Sequence, residues 1–308
     1  MAAWSLRLGG IAALVAAPLF LDQFLREMVT EVLIFGIFAM SLDLLIGYTG
    51  LVSFGHAMFF GLGAYATVLV AARLGFSPWL GILLGPVLAG AVAAAVGYFC
   101  VRASGIAFLM LTMAFSQLLY SVALKWRSVT GGSDGIGGLV RPRLAGLSFD
   151  DPLVMYYFVL PIFLAVTWGL FRLVASPLGH VFIGIRENEG RMRAIGFATG
   201  PYKLIAFVIA GCVAGLAGGL YGFYSGFVSA DLLYWTSSGD VLIMTVLGGP
   251  GTLVGPVVGA AVYLFAKSMI GSFTQHWLLA VGVIFVCCVL FFNRGIYGTA
   301  RALWRGSA

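Results

Sequence analysis

The chain has 308 residues, 61% of them hydrophobic and only 9% charged, with a mean hydropathy of +1.06 and a formal net charge of +6. A soluble domain carries roughly 25% charged residues, so this composition excludes a water-soluble globular protein. The basic residues gather in a few loops and form no aromatic-interleaved stripe, which excludes a nucleic-acid surface.

Apolar runs bounded by charges or turn residues fall near 8–22, 28–46, 51–72, 79–101, 105–124, 153–174, 204–224, 236–249, 254–271 and 276–292. A hydrocarbon core of roughly 30 Å takes about 20 residues of helix. The expected fold is therefore an all-α membrane protein, one polytopic domain over 1–308 with about ten transmembrane helices, some broken or re-entrant. The first run could pass for a signal peptide, but no clean small-x-small cleavage site follows it, so it reads as a first span.

The stretch GYTGLVSFGHAMFFGLGAY, Gly47 to Tyr65, interrupts the second and third runs with five glycines. Each interior glycine costs a helix about 0.5–1 kcal/mol relative to alanine. Their use is close helix approach and a local break, which membranes tolerate only where backbone is buried or lines a cavity. Asp43, Gly47, Gly50, Ser53, His56, Phe59 and Thr112 are the candidates for a solute pathway by depth and chemistry. For His56 the alternative is a hydrogen-bonded histidine between helices. A second glycine series, Gly211 to Gly226, has the three- and four-residue spacing of a packing groove.

Gly248, Gly249, Pro250 and Gly251 break the chain after a run too short for a comfortable span, so 236–249 and 254–271 read as two spans or one re-entrant hairpin. GYTGLV and GPGTLV form a weak internal echo, of the kind left by duplicated halves with broken helices.

Two hydrophilic loops remain. The loop 125–152 contains GGSDGIGG and suits a surface that meets a partner or roofs a cavity. The loop 176–203 has helical propensity from Arg186 to Ile195, a stop at Gly196 and a second turn expected at Gly200–Pro201. With ten spans and the amino terminus inside, the inner side holds ten basic residues against two acidic ones, and the outer side seven against eight. That excess places both termini and loop 176–203 in the cytoplasm.

No phosphate loop and no H-E-x-x-H occur, and no His, Cys and carboxylate cluster suggests a metal. Cys100, Cys212, Cys287 and Cys288 sit in apolar runs as small hydrophobes. Neither a metal nor another cofactor is expected, and no nucleophile and base are brought together by sequence.

Three stretches carry a family resemblance: GYTGLVSFGHAMFFGLGAY, RENEGRMRAIGFATGPYKLIAFVIAGCVAGLAGGLYG and LGGPGTLVGPVVGAAVY. Together they resemble the permease subunits of ABC importers for branched-chain amino acids, the LivM-like branch, over most of the chain from about Leu42. The resemblance implies packed helices similar to type II-like ABC importer permeases, in a bacterial inner membrane. The partners it implies are a second, LivH-like permease, two cytoplasmic ATPase subunits, a periplasmic solute-binding protein and the lipid bilayer. Carried onto this chain, Arg186, Glu187, Glu189, Arg191, Arg193, Ile195 and Gly196 form the segment that docks in an ATPase cleft. ATP hydrolysis belongs to the partners, and similar permeases handle urea, amides or small organic acids. The rival reading is a secondary transporter or channel without ATPases, for which Asp43 with His56 is the local relay candidate.

Overall fold

The computed structural model describes residues 14–144, 147–273, 279, 282–283, 286 and 295–299. Its helices are α1 (Gln23–Asp43), α2 (Ala57–Ala72), α3 (Pro78–Cys100), α4 (Ile106–Lys125), the single turn α5 (Arg127–Thr130), α6 (Pro152–Val174), α7 (Pro177–Ala194), α8 (Thr199–Ser225), α9 (Trp235–Gly248) and α10 (Val254–Phe273). Among the described residues six helices are long and apolar enough to cross a membrane, and Ala57–Ala72 is a shorter apolar one. The chain is an all-α polytopic membrane protein. Its only extended pairing among these residues is a two-residue hairpin, β1 (Arg143–Leu144) against β2 (Leu147–Ser148), and a bridge from Ile136 to Val228. Of the expected first span, 14–20 is helical. The expected tenth span, 276–292, lies outside the described residues apart from four positions, as do Cys287 and Cys288.

The centre of the bundle is α1, whose second half is buried from Val32 to Asp43 at nearly every position. Around it α2, α3 and α8 pack as a tight trio, α6 lies on another side, and α9 and α10 cover the remainder. The glycine series of α8 works as a packing groove. A Cβ on Gly215 would collide with Ala89 of α3, and one on Gly218 with the Phe60 backbone of α2. Backbones can approach this closely only where side chains are missing, which is how helices gain contact in lipid without a hydrophobic driving force.

Three departures from regular helix set up the functional region. After Asp43 the chain winds into a π-helical turn, Leu44–Thr49, closed by Gly50 in the left-handed conformation at φ 76°. The expected third run does not resume as helix until Ala57, so its first residues form an irregular segment. The backbone reappears as irregular or 3-10 chain at 226–234 and again at 249–253.

At 14 residues α9 is about 21 Å long, short of the roughly 30 Å core. Gly248 lies against Gly255, and Gly259 against Met244, the pairing of an antiparallel α9–α10 hairpin.

The loop 176–203 differs from expectation in two ways. Helix α7 begins at Pro177, well before Arg186, because Ser176 accepts from the Gly179 N–H and Pro177 fills the first helical position. The second turn expected at Gly200–Pro201 is absent. Helix α8 starts at Thr199, and Pro201 sits in its first turn, where a missing N–H leaves no hydrogen bond unmade. Inside α7, Asn188 leaves helical geometry (φ −160°, ψ 97°) and its side chain accepts from the Arg191 N–H at 2.9 Å. The element is thus two short helices with a corner between them.

Candidate functional site: a clipped double break beside the α7 corner

The two echo motifs meet in space. Gly47 lies against Gly251, and a Cβ on Gly47 would collide with the Asp43 carboxylate and with the Gly251 backbone. Asp43 makes the clip: one carboxylate oxygen accepts from the Gly251 N–H at 2.6 Å and the other from the Leu253 N–H at 3.0 Å. These donors belong to the turn that leads into α10, so an α1 side chain caps the opening of a helix 208 residues away. A carboxylate beside the first turn of a helix also suits the positive end of its dipole.

Arg186 of α7 joins the same junction. Its guanidinium donates to the Gly47 carbonyl in the π-turn. Its Cγ lies 3.3 Å from where a Cβ on Gly50 would stand, and Gly50 in any case has a backbone conformation that L side chains rarely adopt. The Thr49 hydroxyl donates to the Leu44 carbonyl at 2.9 Å, and the Leu51 N–H to the Leu45 carbonyl at 2.9 Å. The π-turn is thereby held by side chain and backbone while one of its carbonyls is given to α7.

Next along the chain, the irregular segment 50–56 is anchored by hydroxyls. The Phe54 N–H donates to Thr112 at 3.3 Å, the Gly55 N–H to Ser53 at 3.3 Å and the Ala57 N–H to Ser238 of α9 at 2.9 Å. Gly55 sits on the Thr112 carbonyl, with no room for a side chain. Every one of these bonds replaces one that a helix would have made within itself, which is the condition for broken backbone at membrane depth.

His56 is fully buried, with Nε2 2.8 Å from the Ser41 hydroxyl, its ring stacked on Phe38 and edge-on to Phe59. Ser41 donates its own proton to the Phe38 carbonyl at 2.6 Å, so the histidine is the donor and Nε2 carries its hydrogen. Asp43 and His56, the relay candidates of the rival reading, are bonded to different partners and not to each other.

The sequence-derived pathway residues Asp43, Ser53, His56, Phe59 and Thr112 are all fully covered by protein within the chain. The side of the same segment left open consists of Gly50 and Val52, with Phe54 half-buried beside Trp235. Val52 was not singled out by sequence, although alternation about the buried Leu51 and Ser53 marks it as outward-facing.

On the C-terminal half of α7, Glu187, Arg191 and Arg193 are exposed, as is Ile195 just past its end at 64%. Glu189 turns inward instead. It pairs with Arg193 at 2.6 Å and with Lys203 of α8 at 2.6 Å, and accepts from Thr199 at 2.8 Å. Burial pushes the Glu189 carboxyl up, but hydrogen bonds from Lys203, Thr199 and Arg193 outweigh it and hold the carboxyl below its ordinary value. Gly196, at φ 96°, ends the element.

The run GGSDG, Gly131–Gly135, spells G-x-S-x-G, yet Ser133 lies on an exposed turn and its hydroxyl donates to Asp134 at 3.2 Å. It has none of the strand-to-helix elbow that makes such a serine a nucleophile. Among the described residues there is no group of three or more His, Cys, Asp or Glu placed to hold a metal ion.

Residues 24–292 match the family described as branched-chain amino acid transport system / permease component. The high-affinity branched-chain amino acid transport system permease protein LivM of Escherichia coli K12 is 26% identical over 312 aligned positions, covering 93% of this chain and 73% of that protein. The LivM protein of Salmonella typhimurium gives the same identity and coverage. A probable branched-chain amino acid transport permease protein LivM of Methanocaldococcus jannaschii is 24% identical, with 81% and 82% covered. No solved structure matches. An all-α polytopic bundle with clipped helix breaks beside a charged, cornered loop, matched over most of its length, belongs to the family of branched-chain amino acid transport system permease components.

Proposed function

We propose that this chain is the translocating subunit of an ATP-driven importer, passing branched-chain amino acids or related small polar solutes across a bacterial inner membrane, with both termini in the cytoplasm. A solute-binding protein delivers the substrate outside, two ATPase subunits close inside, and a second permease faces the open edge at Gly50, Val52 and Phe54. The exposed part of α7 docks on an ATPase through Glu187, Arg191, Arg193 and Ile195. The observation that carries this reading is the hydrogen bond from Arg186 to the Gly47 carbonyl. Through it a push on α7 reaches the π-turn directly, and the Asp43 clip passes the displacement to the start of α10. Alternating access then needs no deformable core, only two broken segments that move together as the ATPases close. Substrate selection rests mainly with the binding protein, consistent with a membrane interior poor in charge.

The test is the ATPase rate of the complex in lipid nanodiscs, comparing wild type with Glu187→Arg combined with Arg191→Glu. Neither side chain makes a hydrogen bond or ion pair among the described residues, so the fold is left alone while the docking charges reverse. Collapse of assembly or of stimulated hydrolysis is the expected result. Flux through the chain alone in liposomes, with no ATPase associated, would refute it.

A further inference from the structure

On the α7 side of the bundle, a polar pocket of about 310 Å³ opens between the turn joining α3 to α4 and the base of α8, lined by Arg102, Ser104, Glu189, Gly190, Arg193 and Lys203. Its charges do not balance. Three cations face one carboxylate, and that carboxylate is already saturated by Arg193, Thr199 and Lys203. The Arg102 guanidinium lies 4.5 Å from the centre of the Tyr98 ring and has no acceptor for its N–H groups among the described residues. Two residues after Ser104, past Gly105, helix α4 begins at Ile106 with no side-chain cap, adding the partial positive charge of a helix start. The pocket therefore has a net positive field and unused donors.

What borders it is apolar. Tyr98 and Phe99 at the end of α3, and Ile106 and Met110 at the start of α4, are exposed, with Ile106 at 76%. A free inorganic ion has no use for such a border, whereas a molecule with a charged head and a hydrocarbon body meets both surfaces at once. We infer that this pocket binds the phosphate of an anionic phospholipid, with Arg102 on the headgroup and the acyl chains along the exposed face of α3 and α4. Basic pockets at the membrane boundary recognise lipid headgroups in this way, and aromatic residues sit at that depth. Lys203 and Glu189 also tie the pocket to the α7 corner, so an occupied site braces the element proposed to meet the ATPase. The binding claim itself does not depend on that role.

The experiment uses the full chain purified from phosphatidylcholine nanodiscs doped with phosphatidylglycerol, with retained lipid read by native mass spectrometry. Wild type is expected to retain phosphatidylglycerol over phosphatidylcholine. Arg102→Gln lowers that retention by about fivefold and Arg102→Lys keeps most of it, from roughly 1 kcal/mol per basic residue near the surface. Millimolar inorganic phosphate leaves the lipid bound. Equal retention of the two lipids by wild type, unchanged retention in Arg102→Gln, release by inorganic phosphate, or displacement of the lipid by an acidic segment of an added ATPase subunit would each overturn the inference. Because retention is read without transport, its failure and failure of the importer reading are separately visible.

Discussion

Replacing Asp43 with asparagine tests the clip with almost no change of volume. The carboxylate, itself fully buried, accepts from the half-buried Gly251 N–H at 2.6 Å and from the buried Leu253 N–H at 3.0 Å. Hydrogen bonds to charged groups contribute about 1.5–3 kcal/mol each. An asparagine amide offers one oxygen to one N–H and turns its own NH₂ toward the other, so one bond is lost and a buried donor is stranded. Part of that loss returns because a charge is no longer held away from water. The net expectation is a destabilisation of about 2 kcal/mol for Asp43→Asn, and about twice that for Asp43→Leu, which strands both donors. Unfolding of the purified chain in mixed micelles by titration with denaturing detergent measures it. A double variant with Arg186→Gln should be non-additive, since both residues hold the same pair of breaks. If Asp43→Asn unfolds within about 0.5 kcal/mol of wild type, as ordinary surface changes do, and uptake is unaltered, the clip does not hold the two breaks together.

Gly55→Leu is expected to abolish uptake while leaving membrane insertion intact, because its side chain would enter the Thr112 backbone; normal uptake would show that the segment repacks freely. For Glu189 the sign follows from its depressed carboxyl: the stabilisation is present above the ordinary value of 4.5 and is lost as pH falls through the lower folded value. Thermal unfolding of Glu189→Gln should therefore be less cooperative with pH in that acid window and lower at neutral pH, and a wild-type profile identical to the variant's would contradict the pairing. A cysteine at Val52 should cross-link to a cysteine on the second permease in the assembled complex but react freely in the isolated chain; equal labelling in both would remove that edge from the subunit interface.

Local signals were legible in the chain. The runs of apolar residues located the helices, GGPG marked the break before α10, and the mixed-charge stretch after Arg186 marked the exposed end of α7. The partners of those signals were not, because they lie far apart in sequence: 139 residues separate Arg186 from Gly47, and 208 separate Asp43 from Gly251. Asp43 read as a charge in need of a partner, and the partner turned out to be backbone, which has no letter in a sequence. Pro201 read as a turn because proline so often stops helices, yet in a first turn it is tolerated without loss. The Gly47–Gly50 break was legible from glycine alone. Its continuation as irregular chain to Ala57 depends on hydroxyls contributed by Thr112 and Ser238, which no local window contains.

Helix α8 runs unbroken for 27 residues, about 40 Å at 1.5 Å per residue. Its lower end is tied by Lys203 to the α7 corner, and just beyond its upper end Val228 exchanges backbone hydrogen bonds with Ile136 in the glycine-rich loop. A rod of that length is a lever. Pivoting it by about 5° about Lys203 carries the far end, about 33 Å away, by about 3 Å, roughly the spacing of successive residues in a strand. A small rotation on one face is thus delivered to the opposite loop at a size that can make or break a docking contact there.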